Sequence, residues 1–154
     1  MKIRELDETD LEPLAELYVQ FWGEGSSLKK MQETFRRLKG NPDYIFLVAE
    51  QRGTIAGSLM GIICEELYGD CRPFLVIEDV IVNKGFRNNG IGSALMREIE
   101  DRAVSRNCNY ILFVTESERT DAIQFYRSLG YSSDTYHGFK KRLGMQGPKS
   151  LPVD

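Results

Sequence analysis

The residues best suited to chemistry lie in one short stretch, where an apolar strand, a turn with glycines and a helix follow one another. Residues 74–95 are FLVIEDVIVNKGFRNNGIGSAL, with Arg87, Gly90 and Gly92 in the turn. The free N–H groups and the positive dipole end of a helix start attract an anion, and glycine lets a phosphate approach the backbone. Arg87 adds a cation beside the same turn. The pattern therefore predicts a phosphate-binding turn.

Two common nucleotide-binding motifs do not fit this turn. The pattern GxxxxGK[ST] needs a lysine after Gly90, where Ile91 stands, and GxGxxG needs a different spacing of glycines. Close packing of the helix is the alternative role of Gly90 and Gly92.

Two adjacent carboxylates, Glu78 and Asp79, interrupt the apolar strand before the turn. A carboxylate is out of place in such a strand unless it lines a cleft or has a partner. Alternation predicts that Glu78 shares a face with Val80 and Val82, and that Asp79 lies on the opposite face, so that the two cannot line the same pocket. Glu78 is the candidate general base, with a structural ion pair as its alternative role. A hydrogen bond to a turn is the alternative role of Asp79.

The periodicity of apolar residues predicts the elements that position these groups. Helical spacing follows caps at Asp7 or Thr9 and again at Ser26 or Ser27. The predicted strands and helices give the order βααβββαβαβ, with strands at 2–6, 44–50, 54–64, 74–82, 110–115 and 136–143 and the later helices at 90–106 and 120–129. The sequence therefore predicts one α/β domain with a mixed sheet over residues 1–143. Residues 144–154, with two Pro and two Gly, are predicted to be a flexible tail.

Composition excludes several classes of protein. The chain has 154 residues and a net charge of −3, which disfavours a nucleic-acid partner. No apolar run approaches the ~18 residues of a membrane span, and the first residues lack the apolar stretch of a signal peptide, so a cytoplasmic protein is expected. A single histidine, His137, and three cysteines without CxxC spacing predict no metal site; they predict reduced thiols rather than a disulfide between Cys64 and Cys71.

Two motifs resemble one known family. The segment Arg87-Asn88-Asn89-Gly90-Ile91-Gly92 fits Arg-x-x-Gly-x-Gly and resembles the acetyl-CoA pyrophosphate motif of the GNAT superfamily of N-acetyltransferases. Residues 122–131, AIQFYRSLGY, resemble the family's Ala-x-x-x-Tyr-x-x-x-Gly-aromatic segment. The predicted element order also matches, since the first motif follows the fourth strand in that family. The resemblance implies a GNAT fold and acetyl-CoA as co-substrate.

The resemblance assigns roles to the matching positions. The residues it places around acetyl-CoA are Val80, Ile81, Val82, Arg87, Asn88, Asn89, Gly90, Ile91, Gly92, Ser93, Arg119 and Ala122. Arg119 departs from the family, which often has Asn three residues before the motif alanine. We expect Arg119 either to contact the cofactor as a cation or to contribute nothing.

A narrower resemblance concerns catalysis. Ile77-Glu78-Asp79 resembles the Leu-Glu-Asp of spermidine/spermine N-acetyltransferases, whose Glu is proposed as the general base acting through water. Tyr126 matches the general acid of that group, at the same spacing from Glu78. An alkylamine has a pKa of about 10, so a base is useful at neutral pH. The resemblance implies direct transfer with Glu78 and Tyr126 as catalytic residues; an ordinary half-buried aromatic is the alternative role of Tyr126.

The acceptor site of the family is built from the first two helices, the hairpin strands and the last strands. In this chain that material offers Trp22, Tyr44, Glu65 and Asp79 as substrate residues. Carboxylates with aromatic rings suit a cation, so a small cationic amine such as a polyamine, an aminoglycoside or an amino acid derivative is expected. Solubility of a hairpin tip is the alternative role of Glu65. A protein N-terminus or lysine is the alternative acceptor, and a CoA-binding module without turnover is the alternative function. The family often dimerises through its C-terminal strands, so a homodimer is expected.

Overall fold

The computed structural model describes residues 1–143, so the predicted tail at 144–154 lies outside the described residues. The chain divides into two compact units, Met1–Phe113 and a second unit that begins at Val114. The single domain expected over residues 1–143 stays a prediction.

The first unit holds a five-stranded sheet and three helices. The strands are β1 (Lys2–Glu5), β2 (Tyr44–Gln51), β3 (Thr54–Cys64), β4 (Phe74–Val82) and β5 (Ile111–Leu112), and the helices are α1 (Leu11–Trp22), α2 (Leu28–Leu38) and α3 (Ile91–Ser105). The strands lie in chain order, with antiparallel pairs up to β4 and a parallel pair between β4 and β5. Helix α4 (Thr120–Ser128) belongs to the second unit. The mixed α/β fold is confirmed.

Local sequence explains where these elements begin and end. The Ser27 hydroxyl accepts a hydrogen bond from the Lys30 N–H at 3.4 Å and caps α2. Arg52 and Gly53 have φ values of 55° and 73°, as in the two-residue turns that join antiparallel strands. No helix within residues 1–143 has both the length and the apolar character that a membrane crossing requires.

Two glycines of β3 let α3 pack directly on one face of the sheet. A Cβ at Gly57 would lie 2.9 Å from the Ile91 side chain, and a Cβ at Gly61 would lie 2.7 Å from the Ile99 side chain. Both glycines therefore face α3. Because side chains alternate along a strand, the residues of β3 next to each glycine face the opposite side of the sheet. Val48 of β2 lies on that opposite side, where it packs with Leu14 and Leu17 of α1. Helix α1 and helix α3 therefore cover opposite faces.

Two predicted strands differ from the structure. The strand predicted at 110–115 is shorter in the structure, where β5 has two residues that pair with Leu75 and Val76. The strand predicted at 136–143 is wrong: these residues form no ladder, and Tyr136 and Phe139 are exposed. Apolar residues alone do not make a strand, because its backbone groups must also pair with a neighbour. The expected homodimer, which relied on that edge, stays a prediction.

Candidate active site

A β-bulge in β4 sets the geometry around the two carboxylates. Glu78 pairs with Met60 of β3, and Ile81 pairs with Ser58, so three steps along β4 match two steps along β3. Asp79 lies within this stretch and has φ 57°, in the left-handed region. The bulge therefore adds one residue to β4 and shifts the alternation that follows it.

The bulge corrects the predicted faces of β4. Met60, the partner of Glu78, lies one position from Gly61 and therefore faces away from α3. After the bulge, Ile81 packs into the cluster of α1, while Val82 pairs with the α3-facing Gly57. The expectation that Glu78 shares a face with Val82 is wrong, because the extra residue moves Ile81 onto that face.

Glu78 lies exposed on the α1 side of the sheet. Its carboxylate makes no hydrogen bond or ion pair with any other residue from 1 to 143. The structural ion pair that was the alternative role of Glu78 is therefore not formed within this part of the chain. A solvent-accessible carboxylate without a partner can accept a proton from a bound molecule.

The charge of Asp79 reaches the same side of the sheet. Burial raises the pKa of Tyr18, a residue of α1, and the negative charge of Asp79 raises this pKa further. The rings of Tyr18 and Trp22 meet edge to face, with their centroids 5.1 Å apart, and Trp22 is 37% exposed. An aromatic pair thus lies on the α1 side of the sheet with Glu78, and Asp79 is near enough for its charge to act on Tyr18.

The turn after β4 is held in shape by its own side chains. The Asn83 side chain accepts a hydrogen bond from the Gly85 N–H at 3.0 Å. The Asn89 side-chain amide donates to the carbonyls of Phe86 and Arg87, both at 3.2 Å. Asn89 therefore stabilises the turn, and these bonds leave the first N–H groups of α3 unused.

Gly90 forms the start of α3. It has φ 74°, and a Cβ at this position would meet no atom within 4 Å. Gly90 is therefore needed for its backbone conformation, and close packing, the alternative role suggested for it, is wrong. The first bond of the helix joins the Ala94 N–H to the Gly90 carbonyl at 3.0 Å, and no side chain caps the helix. The N–H groups of Ile91, Gly92 and Ser93 thus have neither a helical partner nor a side-chain cap, as an anion site requires.

Arg87 supplies the positive charge of this turn. It is exposed, and its guanidinium forms no hydrogen bond or ion pair inside the described residues 1–143. A guanidinium without a carboxylate partner can bind a phosphate in a bidentate manner.

The edge of β4 next to this turn has no strand partner in the first unit. The pairing with β5 ends at Val76, so residues 77–82 of β4 have one unpaired side. Val80, Ile81 and Val82 lie in this stretch. An unpaired strand edge offers backbone N–H and C=O groups to an extended, amide-containing ligand.

Helix α4 carries the predicted residues of the second unit. Burial raises the pKa of Tyr126, and the positive charge of Arg119 opposes this shift in part. The N–H of Tyr131 donates to the Tyr126 carbonyl at 3.1 Å, and their rings meet edge to face. Ala122 is buried. Tyr126 and Arg119 are therefore close neighbours, while the pairing of Tyr126 with Glu78 stays a prediction.

Tyr44 and Glu65 lie in different surroundings. Tyr44 begins β2 and lines an open groove of about 430 Å³ with Phe35 and Phe46. Glu65 is exposed in the loop after β3, close enough to Cys108 for its charge to raise the pKa of that thiol, which burial raises more strongly. The two residues thus lie at the far end of the strands from the turn at Gly90.

Sequence reasoning missed Tyr18 and the half-buried strand residues beside Glu78. The only signal for Tyr18 was its spacing of four residues from Trp22, which on a helix places two rings side by side.

All three cysteines are free thiols, and no three His, Cys, Asp or Glu side chains of residues 1–143 form a cluster able to hold a metal ion.

Known proteins resemble this chain in family, sequence and structure. A family model described as the acetyltransferase (GNAT) family matches residues 11–131. An acetyltransferase of Pectobacterium atrosepticum is 32% identical over 108 residues, which are 70% of this chain and 71% of that protein. An uncharacterised protein of Bacillus subtilis is 30% identical over 76 residues, 49% of this chain, so this chain spans less than half, 44%, of that relative's length.

A solved structure shows the same fold. A putative acetyltransferase from Agrobacterium tumefaciens superposes with a TM-score of 0.85, covering 93% of this chain and all of that one (100%), at 23% identity. At this identity the likeness concerns the fold alone.

Proposed function

The chain belongs to the GNAT acetyltransferase family, and we propose that it transfers an acetyl group from acetyl-CoA to the primary amine of a small cationic molecule. One observation carries the proposal. Glu78 is an exposed carboxylate without a partner within residues 1–143, and it lies at a bulge four residues before the strand ends in the uncapped turn of α3. The strand thus joins a candidate base to a candidate phosphate site.

The turn suits the pyrophosphate of acetyl-CoA. The open space at Gly90, the free N–H groups of Ile91, Gly92 and Ser93, and the unpaired guanidinium of Arg87 fit a doubly charged anion. The unpaired edge of β4 fits the amides of the pantetheine arm. When bound, acetyl-CoA supplies an acetyl group as a thioester.

In this proposal Glu78 accepts the ammonium proton of the acceptor, directly or through a water molecule. The freed amine nitrogen forms a bond to the acetyl carbon, the bond from that carbon to sulfur breaks, and the nitrogen releases its second proton to water, from which the tyrosine that protonates the sulfur regains one. Tyr126 donates its phenolic proton to the departing sulfur. Because burial raises the pKa of Tyr126, the phenol is protonated at neutral pH and can act as this donor.

The surroundings of Glu78 support a cationic acceptor. The Asp79 carboxylate attracts an ammonium group, and the half-exposed ring of Trp22 offers a π-face on the α1 side of the sheet. Glu65 and Tyr44, farther along the strands, suit the distal part of a longer acceptor.

A screen of amines tests this proposal. Purified protein is mixed with acetyl-CoA and one of a panel of small amines or lysine-containing peptides, and release of free CoA thiol is measured. We expect release that depends on a small amine. If CoA binds and none of the amines or peptides is acetylated, the chain is a binding module and the proposal is wrong. Faster turnover of peptides than of every small amine would instead identify a protein acetyltransferase.

A further inference from the structure

The two faces of the sheet are covered to different extents near Glu78. On the face toward α3, Leu47, Leu59, Leu75 and Ile77 are at most 2% exposed. On the opposite face, at the same levels of the strands, Glu78 is exposed and its neighbours are only half-buried. We call six of these half-buried residues the apolar floor: Phe46, Met60, Ile62, Cys64, Phe74 and Val76. Helix α1 covers the next row, Val48, Ser58 and Ile81, and Phe35 of α2 contacts only the Phe46 end of the floor, with the two ring centroids 6.0 Å apart.

The strand register joins the apolar floor to Glu78. Phe46 pairs with Met60, and Met60 pairs with Glu78, so the carboxylate ends one row of the floor. The next row along contains Ile62 and Val76. Rows in steps of two residues are about 7 Å apart, so the floor extends about 14 Å from Glu78 along β4 and about 10 Å across three strands.

The chemistry of the floor is uniform. All six side chains are uncharged, and Glu78 is the one charged side chain in the rows that they form on this face. An ammonium group held at Glu78 would therefore extend over apolar and aromatic surface. A second ammonium placed over the floor itself, short of Glu65 beyond its far end, would lose hydration without gaining a carboxylate.

From this juxtaposition we propose that the acceptor is an amine with one ammonium group and an apolar alkyl or aryl body, which lies on the apolar floor while the ammonium meets Glu78. The inference rests on the proposed function and narrows its substrate class. The charge complementarity at one end and the half-buried apolar surface beyond it select this occupant over a polyamine of equal length.

Chain length and charge can be varied separately to test the inference. The rates of propylamine, octylamine and the α,ω-diamine with the octyl carbon chain are compared under equal conditions. Each added methylene should raise kcat/KM by about two- to fourfold, because burial of a methylene is worth ~0.8 kcal/mol. The diamine should be a poorer substrate than octylamine. Equal or better use of the diamine, or no dependence on chain length, would overturn the inference and leave the proposed function intact.

A substitution in the floor gives a second test. Val76→Thr keeps the shape of the side chain and adds a hydroxyl at a half-buried position, so it should lower kcat/KM for octylamine about three- to tenfold and leave propylamine unchanged. Val104→Thr, on the exposed side of α3, is the matched control and should change neither. If Val76→Thr does not fold, Ile62→Thr serves the same purpose. An equal effect of Val76→Thr on both amines would contradict the inference.

Calorimetry separates this inference from the proposed function. Binding of octylamine should have a more negative heat-capacity change than binding of propylamine, since apolar surface is buried. This result, combined with CoA binding but no turnover of any amine, would refute the proposed transfer and uphold the floor as a binding surface. Identical heat-capacity changes for the two amines would refute the floor.

Discussion

Replacement of Gly90 by alanine separates the role of the turn in folding from its role in binding. Gly90 has φ 74° and open space where a Cβ would lie, so the methyl group meets no protein atom. The cost to folding is therefore the left-handed conformation alone, about 1–2 kcal/mol for an L-residue. We expect the same methyl group to hinder the approach of a phosphate to the free N–H groups at the start of α3. Loss of one charge-assisted hydrogen bond of about 1.5–3 kcal/mol corresponds to about a 10- to 100-fold weaker affinity.

Gly53→Ala is the matched control for this change. Gly53 has φ 73° and likewise no atom within 4 Å of a Cβ, but it lies in the turn between β2 and β3. Thermal unfolding should show a similar loss of stability in both variants, and calorimetry with CoA should show weaker binding only in Gly90→Ala. If both variants bind CoA with the affinity of the parent protein, the turn at Gly90 is not the phosphate site.

Three further predictions concern charge, acid catalysis and thiols. Arg4 donates two hydrogen bonds to the buried Asp10 and lowers its pKa, so Asp10→Asn should cost about 2 kcal/mol of stability at pH 7. Because a lowered pKa stabilises only above the unfolded value of about 3.9, the difference between parent and variant in urea unfolding should vanish as the pH falls through the folded pKa of Asp10. Tyr126→Phe should lower kcat by about 10²-fold and remove the alkaline limb of the pH profile, which the raised pKa of Tyr126 places above about 10; an unchanged limb would exclude this phenol as the proton donor. Serine at all three cysteines should preserve kcat, and mass spectrometry should find no acetylated thiol, because transfer is direct; a competent acetyl-enzyme on Cys64, Cys71 or Cys108 would refute this.

The elements that build the turn could be predicted from local sequence. Glycines and the caps at Ser27 and Gly90 act on their immediate neighbours. The unbroken apolar runs correctly predicted the first and last residues of β3 and β4. These effects act between residues that are close in the chain, so a single sequence is enough to predict them.

The features that depend on pairing between distant segments could not be predicted. The bulge at Asp79 is a mismatch between β3 and β4, and β4 contains no glycine that would indicate it. Asp tolerates positive φ better than most residues, but an Asp alone does not predict a bulge. The apolar floor could not be predicted from the sequence either, because the residues of β3 and β4 are apolar on both faces of the sheet. Which face a helix leaves uncovered is decided by tertiary packing.

The proposed function depends on removal of the amine proton by Glu78. The variant Glu78→Gln tests this step through its kcat, with Asp79→Asn as the neighbouring carboxylate control, after calorimetry has shown that both bind acetyl-CoA as the parent protein does. We expect Glu78→Gln to lower kcat by about 10²- to 10⁴-fold, whereas Asp79→Asn should raise KM and change kcat little. A Glu78→Gln variant with the kcat of the parent protein would show that Glu78 is not the base.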